Sequence, residues 1–157
     1  TYHKLDKNIQ KQSIYNIYEK EKIVITGKKI FKNKKNINFY NKLPNRKIDI
    51  IIIKSTLHYI IDWKSLLKKL NIYNFRMIII CDLPTTSLKT HVKKQKYYDN
   101  IQPVWFFNLQ SFQRFLKQIN LKLFLKIDNE NKYFNNFLKK EQNKYSFTNL
   151  IITKNDK

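Results

Sequence analysis

His58 is the histidine of this chain that has company: Lys54, Ser55 and Thr56 lie just before it, and all follow the apolar run Ile48 to Ile53. An imidazole titrates near neutral pH and can take a proton from a hydroxyl at hydrogen-bond distance. The competing reading is a histidine that only packs or caps. His3 and His91 have no comparable neighbours. Asp82 closes a second apolar run, Phe75 to Cys81, and reads by itself as a turn residue ahead of Leu83-Pro84. Cys81 is the single cysteine, which excludes a disulfide within the chain and any CxxC metal site and fits a reducing compartment. No carboxylate pair or metal-ligand cluster stands out. The chemistry on offer is proton handling and positioning rather than metal or thiol catalysis.

The elements that must hold these residues can be read from periodicity. Ile14 to Tyr18 alternates as a strand and runs into Glu19-Lys20-Glu21, the start of a helix reaching about Phe31. Ile37 to Tyr40 is a short strand followed by a turn at Asn41 to Asn45. Ile48 to Ile53 is nearly continuous in apolar residues, as in central parallel strands buried on both faces. Asp62 is placed to cap a helix to Leu70, with Trp63, Leu66, Leu67 and Leu70 on one face. Phe75 to Cys81 forms the next strand, and a polar, lysine-rich loop is expected from there to about Pro103. A last clear helix carries Ser111, Phe112, Phe115, Leu116 and Ile119; Leu121 to Ile127 and Tyr145 to Thr153 alternate as two closing strands. Between them Tyr133, Phe134, Phe137 and Leu138 have the spacing of a short amphipathic insert. This order is α/β, with right-handed crossovers placing helices on both faces of a mostly parallel sheet and an antiparallel C-terminal edge.

Length and composition bound the functions. A chain of 157 residues with 42% hydrophobic residues fits one packed domain, 1–157, rather than a disordered segment. The net charge of +21 invites a nucleic-acid partner, yet only Arg46, Arg76 and Arg114 are arginines. Arginine is the residue favoured for bidentate phosphate and base recognition, so a solvated lysine surface is the stronger reading. The longest apolar run falls far short of a bilayer span, and cytoplasm is the default location.

From about Ile14 to Lys154 the chain resembles a family of methyltransferases with the class I Rossmann-like fold. The carrying residues are Tyr18-Glu19, Ile37-Asn38-Phe39-Tyr40, and above all Ile48-Asp49-Ile50-Ile51-Ile52-Ile53-Lys54-Ser55-Thr56-Leu57-His58-Tyr59-Ile60. Tyr73 to Pro84, Gln102-Pro103-Val104-Trp105-Phe106-Phe107 and Phe147-Thr148-Asn149-Leu150-Ile151-Ile152 follow in family order. The resemblance implies S-adenosylmethionine as cofactor and methyl transfer to a small acceptor, with a sugar or polysaccharide precursor suggested only by the company such families keep. It implies that Glu19 accepts hydrogen bonds from the ribose hydroxyls and that Tyr40 and Asn41 lie near the adenine. Lys54, Ser55 and Thr56, leaving the carboxyl end of their strand, would face the methionine end. His58 and Asp82 would stand on the catalytic, acceptor side, with Trp105 either there or in the core.

One part of the pattern is missing. No G-x-G occurs, and the sole glycine, Gly27, falls well after the first strand. A glycine-rich turn lets backbone approach a cofactor closely. The resemblance therefore covers the part downstream of that loop and predicts a sheet lacking its first strand, as in a piece of a longer enzyme that binds cofactor weakly or not at all and is inactive by itself. Two readings of another class compete with the enzyme: a basic α/β module binding nucleic acid or an acidic partner, and a cofactor-less scaffold.

Overall fold

A computed structural model describes residues 7–97, 99–129 and 144–155. The chain divides into two units, Thr1–Arg46 and Lys47–Lys157, each described by itself.

In the first unit, helix α1 (Lys7–Gln12) leads into strand β1 (Tyr15–Tyr18), helix α2 (Glu21–Ile30) and strand β2 (Ile37–Tyr40). β1 and β2 pair in parallel, Tyr15 opposite Ile37 and Tyr18 opposite Tyr40, so Glu19 and Asn41 leave the same end of the sheet. The helix forms despite five β-branched residues and a glycine because its inward stripe is buried. Val24 and Gly27 of α2 pack over Ile37 and Phe39 of β2, with Tyr15, Ile17 and Phe31 around them. Tertiary packing overrides weak helix propensity here.

The second unit is built on strand β4 (Met77–Thr86). Strand β3 (Ile50–Lys54) lies parallel to its first half, from Ile50 opposite Met77 to Lys54 opposite Cys81. The closing strands β7 (Leu121–Asn129) and β8 (Tyr145–Lys154) are antiparallel, and β8 is inserted between β4 and β7. The antiparallel side expected from the sequence is therefore present. The helices are α3 (Trp63–Leu70) and α4 (Leu109–Gln118). Asp62 Oδ1 accepts from the Ser65 amide at 3.1 Å and Asn108 Oδ1 from the Ser111 amide at 3.0 Å, capping both. Trp63, Leu67 and Leu70 of α3 and Phe112, Phe115 and Leu116 of α4 are buried.

Three expectations need correction. The lysine-rich segment before Pro103 is a hairpin rather than a loop: β5 (His91–Tyr97) pairs antiparallel with β6 (Asn100–Asn108). Lysines crowd an edge strand because charge there deters further pairing. Strand β4 also runs on through Asp82-Leu83-Pro84, so Asp82 sits at an irregularity within a strand and not in a terminal turn. Finally, β3 is not buried on both faces; Ile50 is 49% and Ile52 44% exposed, and among the described residues β3 pairs only with β4. The amphipathic insert around Tyr133 to Leu138 falls outside the described residues.

Candidate functional site

β4 has two edges, and β8 runs along one of them. The other edge is shared: β3 occupies it as far as Cys81, and β6 joins at Thr85 opposite Phe107 and Thr86 opposite Asn108. Between those contacts Asp82 to Pro84 have neither neighbour on that edge. β6 touches β4 only through its last two residues and splays away before them. A crevice where neighbouring strands part at the carboxyl ends of a parallel sheet is where open α/β sheets collect ligands.

The backbone around this gap is specialised. Ser55, the residue after β3, has φ 49°, and Asp82 has φ 57°. Non-glycine residues rarely enter the left-handed region, and such conformations gather at sites where the surroundings over-determine them. Three bonds hold them. The Ser55 amide donates to the Cys81 carbonyl at 3.0 Å. The Ser55 hydroxyl donates to Asp82 Oδ2 at 2.7 Å. The Asp82 amide donates to Asn149 Oδ1 of β8 at 3.0 Å. Asn149 was not singled out from the sequence; its position on a closing strand gave no sign that its amide supports the Asp82 irregularity.

Thr56 turns its hydroxyl back onto the Lys54 carbonyl at 2.7 Å, closing the strand end, and Lys54, Ser55 and Thr56 are all exposed. A short 3-10 turn, Leu57–Tyr59, follows and packs against β4 and β6. Leu57 and His58 are buried there, while Tyr59 lies outward with its hydroxyl on Gln95 Oε1 at 3.2 Å. His58 is 5% exposed, its ring lies 4.1 Å from that of Tyr59, and among the described residues its Nδ1 has no hydrogen-bond partner. Burial lowers its pKa to about 4, opposed in part by the Asp82 carboxylate. The sequence expectation of an imidazole titrating near neutrality is thus corrected: His58 is a neutral, weakly basic group close enough to Asp82 to feel its charge. The Cys81 thiol is pushed up, first by burial and then by Asp82, which leaves it a poor nucleophile.

The His58 environment has a measurable consequence. An unfolded imidazole protonates near pH 6.5, whereas the folded one stays neutral down to about pH 4. The unfolded state then binds more protons between these values, so this contribution is complete above pH 6.5 and is lost as pH falls towards 4. Allowing for solvent screening, about 1–2 kcal/mol is at stake. Urea unfolding of the parent chain and of His58→Gln should converge in stability by that amount between pH 6.5 and 4.5. A difference that does not change with pH would show that His58 does not titrate as described.

Of the other expected residues, Glu19 is half-buried just beyond β1. Its amide donates to the Tyr40 carbonyl at 3.0 Å, and its Oε2 accepts from the Lys20 amide at 3.3 Å. Tyr40 is half-buried at the end of β2, and Asn41 is exposed beyond it. Glu19, Tyr40 and Asn41 thus meet at one end of the first unit's sheet, as Ser55, His58 and Asp82 do in the second. Trp105 is half-buried on β6, its ring 6.4 Å from that of Phe107 and stacked on it. A further hollow of about 230 Å³ is lined by Thr85, Thr86, Ser87 and Ser146 among others. Among the described residues no group of three His, Cys, Asp or Glu side chains could hold a metal, and no helix is long and apolar enough to cross a membrane.

No protein-family model and no curated protein matches the chain. Solved structures do. An O-methyltransferase from a trans-AT polyketide synthase multienzyme of Brevibacillus brevis, in complex with S-adenosylhomocysteine, superposes with a TM-score of 0.72 at 13% identity, covering 94% of this chain and 61% of that one. An S-adenosylmethionine-dependent methyltransferase from Clostridium acetobutylicum gives 0.62 at 12% identity, over 95% of this chain and 78% of the other. The [4+2]-cyclase SpnF gives 0.65 at 6% identity, over 92% and 68%. The chain thus spans about three fifths of the polyketide-synthase methyltransferase, and the presence of a cyclase among the likenesses separates fold from reaction. The chain has the α/β, Rossmann-like fold of class I S-adenosylmethionine-dependent methyltransferases.

Proposed function

We propose that the chain is part of an S-adenosylmethionine-dependent methyltransferase acting on a small acceptor. The observation that carries this reading is the gap in the β4 edge beside Asp82, with Ser55 and Asp82 held in left-handed conformations by a 2.7 Å hydrogen bond. The fold adds support, because its solved likenesses include methyltransferases crystallised with S-adenosylhomocysteine.

The residues present fit such a cofactor in part. Glu19 offers an anionic acceptor at the end of β1, suited to ribose hydroxyls, with Tyr40 and Asn41 at the same end of that sheet for a purine. Lys54, Ser55 and Thr56 expose backbone and hydroxyl groups suited to the amino-acid end. The glycine-rich turn is not among the 157 residues. Bound S-adenosylmethionine would supply a methyl group on an activated sulfonium, so the protein mainly has to position acceptor and donor. Ser55 fixes the Asp82 carboxylate, which keeps lone pairs free to accept a hydrogen bond from an acceptor hydroxyl. As the acceptor oxygen gains the methyl it releases its proton, and Asp82 is the nearer sink to water. His58, buried, neutral and weakly basic, is not the main base. The hydroxyls of Ser55 and Thr56 near Asp82 suit an acceptor of the sugar or polysaccharide-precursor class, and a cytoplasmic, cofactor-supplied setting goes with this reading.

Isothermal titration of the chain with S-adenosylhomocysteine should give weak saturable binding, with Kd about 0.1–1 mM. Glu19→Gln should weaken it at least tenfold, about 1.4 kcal/mol. The reading fails if no saturable binding is found, or if Glu19→Gln binds as the parent does. Micromolar binding would instead overturn the requirement for a glycine-rich turn. Transfer of labelled methyl from S-adenosylmethionine to components of a host extract then identifies the acceptor.

A further inference from the structure

The first unit carries a run of cations that methyl transfer does not use. Between Glu21 and Asp49 no acidic residue occurs, while Lys22, Lys28, Lys29, Lys32, Lys34, Lys35, Lys42, Arg46 and Lys47 do. Four of these, Lys28, Lys32, Lys34 and Lys35, line one open groove of about 380 Å³. All four are exposed, and among the described residues none has an ion-pair partner. The groove is not wholly polar: Phe31 and Tyr40, both half-buried, offer aromatic surface along it, and Asn38 also lines it.

Four unpaired ammonium groups around one groove hold potential that salt or a polyanion must neutralise. Lysine is a mobile point charge without the planar fork that reads a base edge, so such a groove suits a phosphate backbone and not a sequence. Aromatic surface beside a basic track is how single strands are held, since each base can stack while its phosphates are neutralised. A duplex keeps its bases stacked internally and could use only the charges. We propose that this groove binds single-stranded nucleic acid without sequence preference. The groove shares Tyr40 with the proposed purine end, but its four cations take no part in methyl transfer, and the test below reads them whether or not that reading holds.

Fluorescence anisotropy with a labelled oligouridylate of about 12 nucleotides tests it. Four neutralised phosphates on a single strand give a slope of about −2.8 in log K against log salt, or roughly a 50-fold loss between 50 and 200 mM salt. The variant Lys28→Gln, Lys32→Gln, Lys34→Gln, Lys35→Gln should lose at least tenfold in affinity at 50 mM salt and most of that slope. Its control is Lys68→Gln, Lys69→Gln, Lys89→Gln, Lys117→Gln, which removes the same charge from exposed lysines of the second unit. The control should bind as the parent does. Circular dichroism of both variants checks that they remain folded. Equal losses in the two variants would overturn the groove in favour of diffuse net charge. Tighter binding to a duplex than to the single strand would overturn the single-strand assignment.

Discussion

Replacing Trp63 by alanine is expected to lower the stability of the unit Lys47–Lys157 by about 3–5 kcal/mol. Trp63 is 5% exposed at the first position of α3, and three aromatic rings close on it. Phe107 lies at 5.1 Å and Phe115 at 5.0 Å, both edge-on, and Phe112 at 5.4 Å. Such ring pairs are worth about 0.5–1.5 kcal/mol beyond their buried area, and truncation leaves a cavity whose rigid walls cannot collapse. The rings belong to the end of β6 and to α4, so Trp63 fastens α3 to the elements around the β4 gap. The 3-10 turn with His58 immediately precedes α3, which ties this packing to the candidate site. Urea midpoints measure the loss. Trp63→Phe should recover more than half of it, and Ile72→Ala, at a position 83% exposed, should stay within about 0.5 kcal/mol of the parent. A loss under 1.5 kcal/mol for Trp63→Ala would mean that the aromatic cluster is not the anchor described.

How far the sequence foretold this arrangement depended on whether each feature was local. α3 was legible because Asp62 and the i, i+3, i+4, i+7 apolar spacing are both contained in nine residues. β1, β7 and β8 were legible from alternation. The β5–β6 hairpin was not, because Lys93, Lys94 and Lys96 mask an edge strand as loop, and pairing with β6 is a non-local fact. The extent of burial of β3 was misjudged for a related reason: a continuous isoleucine run says that a strand can be buried on both faces, whereas its neighbours decide whether it is. In the candidate site, His58 stood out by residue type, whereas Ser55 and Asp82 were marked by the family resemblance that runs through the two apolar strands. The hydrogen bond between Ser55 and Asp82 and the supporting Asn149 arise where β4 is flanked by β3 and β8, and the depression of the His58 pKa arises where its turn packs on β4 and β6. No window along the chain holds these strands together.

The one glycine supports an opposite sign of effect from the one propensity suggests. In an exposed helix interior, Gly→Leu would add nearly 1 kcal/mol of stability. At Gly27 it should instead destabilise the unit Thr1–Arg46 by about 2 kcal/mol, because a side chain there enters the ring of Phe39. Phe39 has little room to retreat: it is buried in β2, and its ring lies 5.7 Å from that of Phe31. Gly27 is therefore a packing glycine, letting α2 lie close over β2, and its conformation is ordinary, since no glycine here has a positive φ. That assigns the chain's only glycine to the helix–sheet contact and leaves none for a cofactor turn. Native-state amide exchange of Tyr15–Tyr18 and Ile37–Tyr40 measures the effect within the unit. Gly27→Leu should accelerate exchange there about 30-fold, with Gly27→Ala intermediate. Slower exchange in Gly27→Leu would mean that the ring of Phe39 yields freely and that helix propensity, not close packing, governs this position.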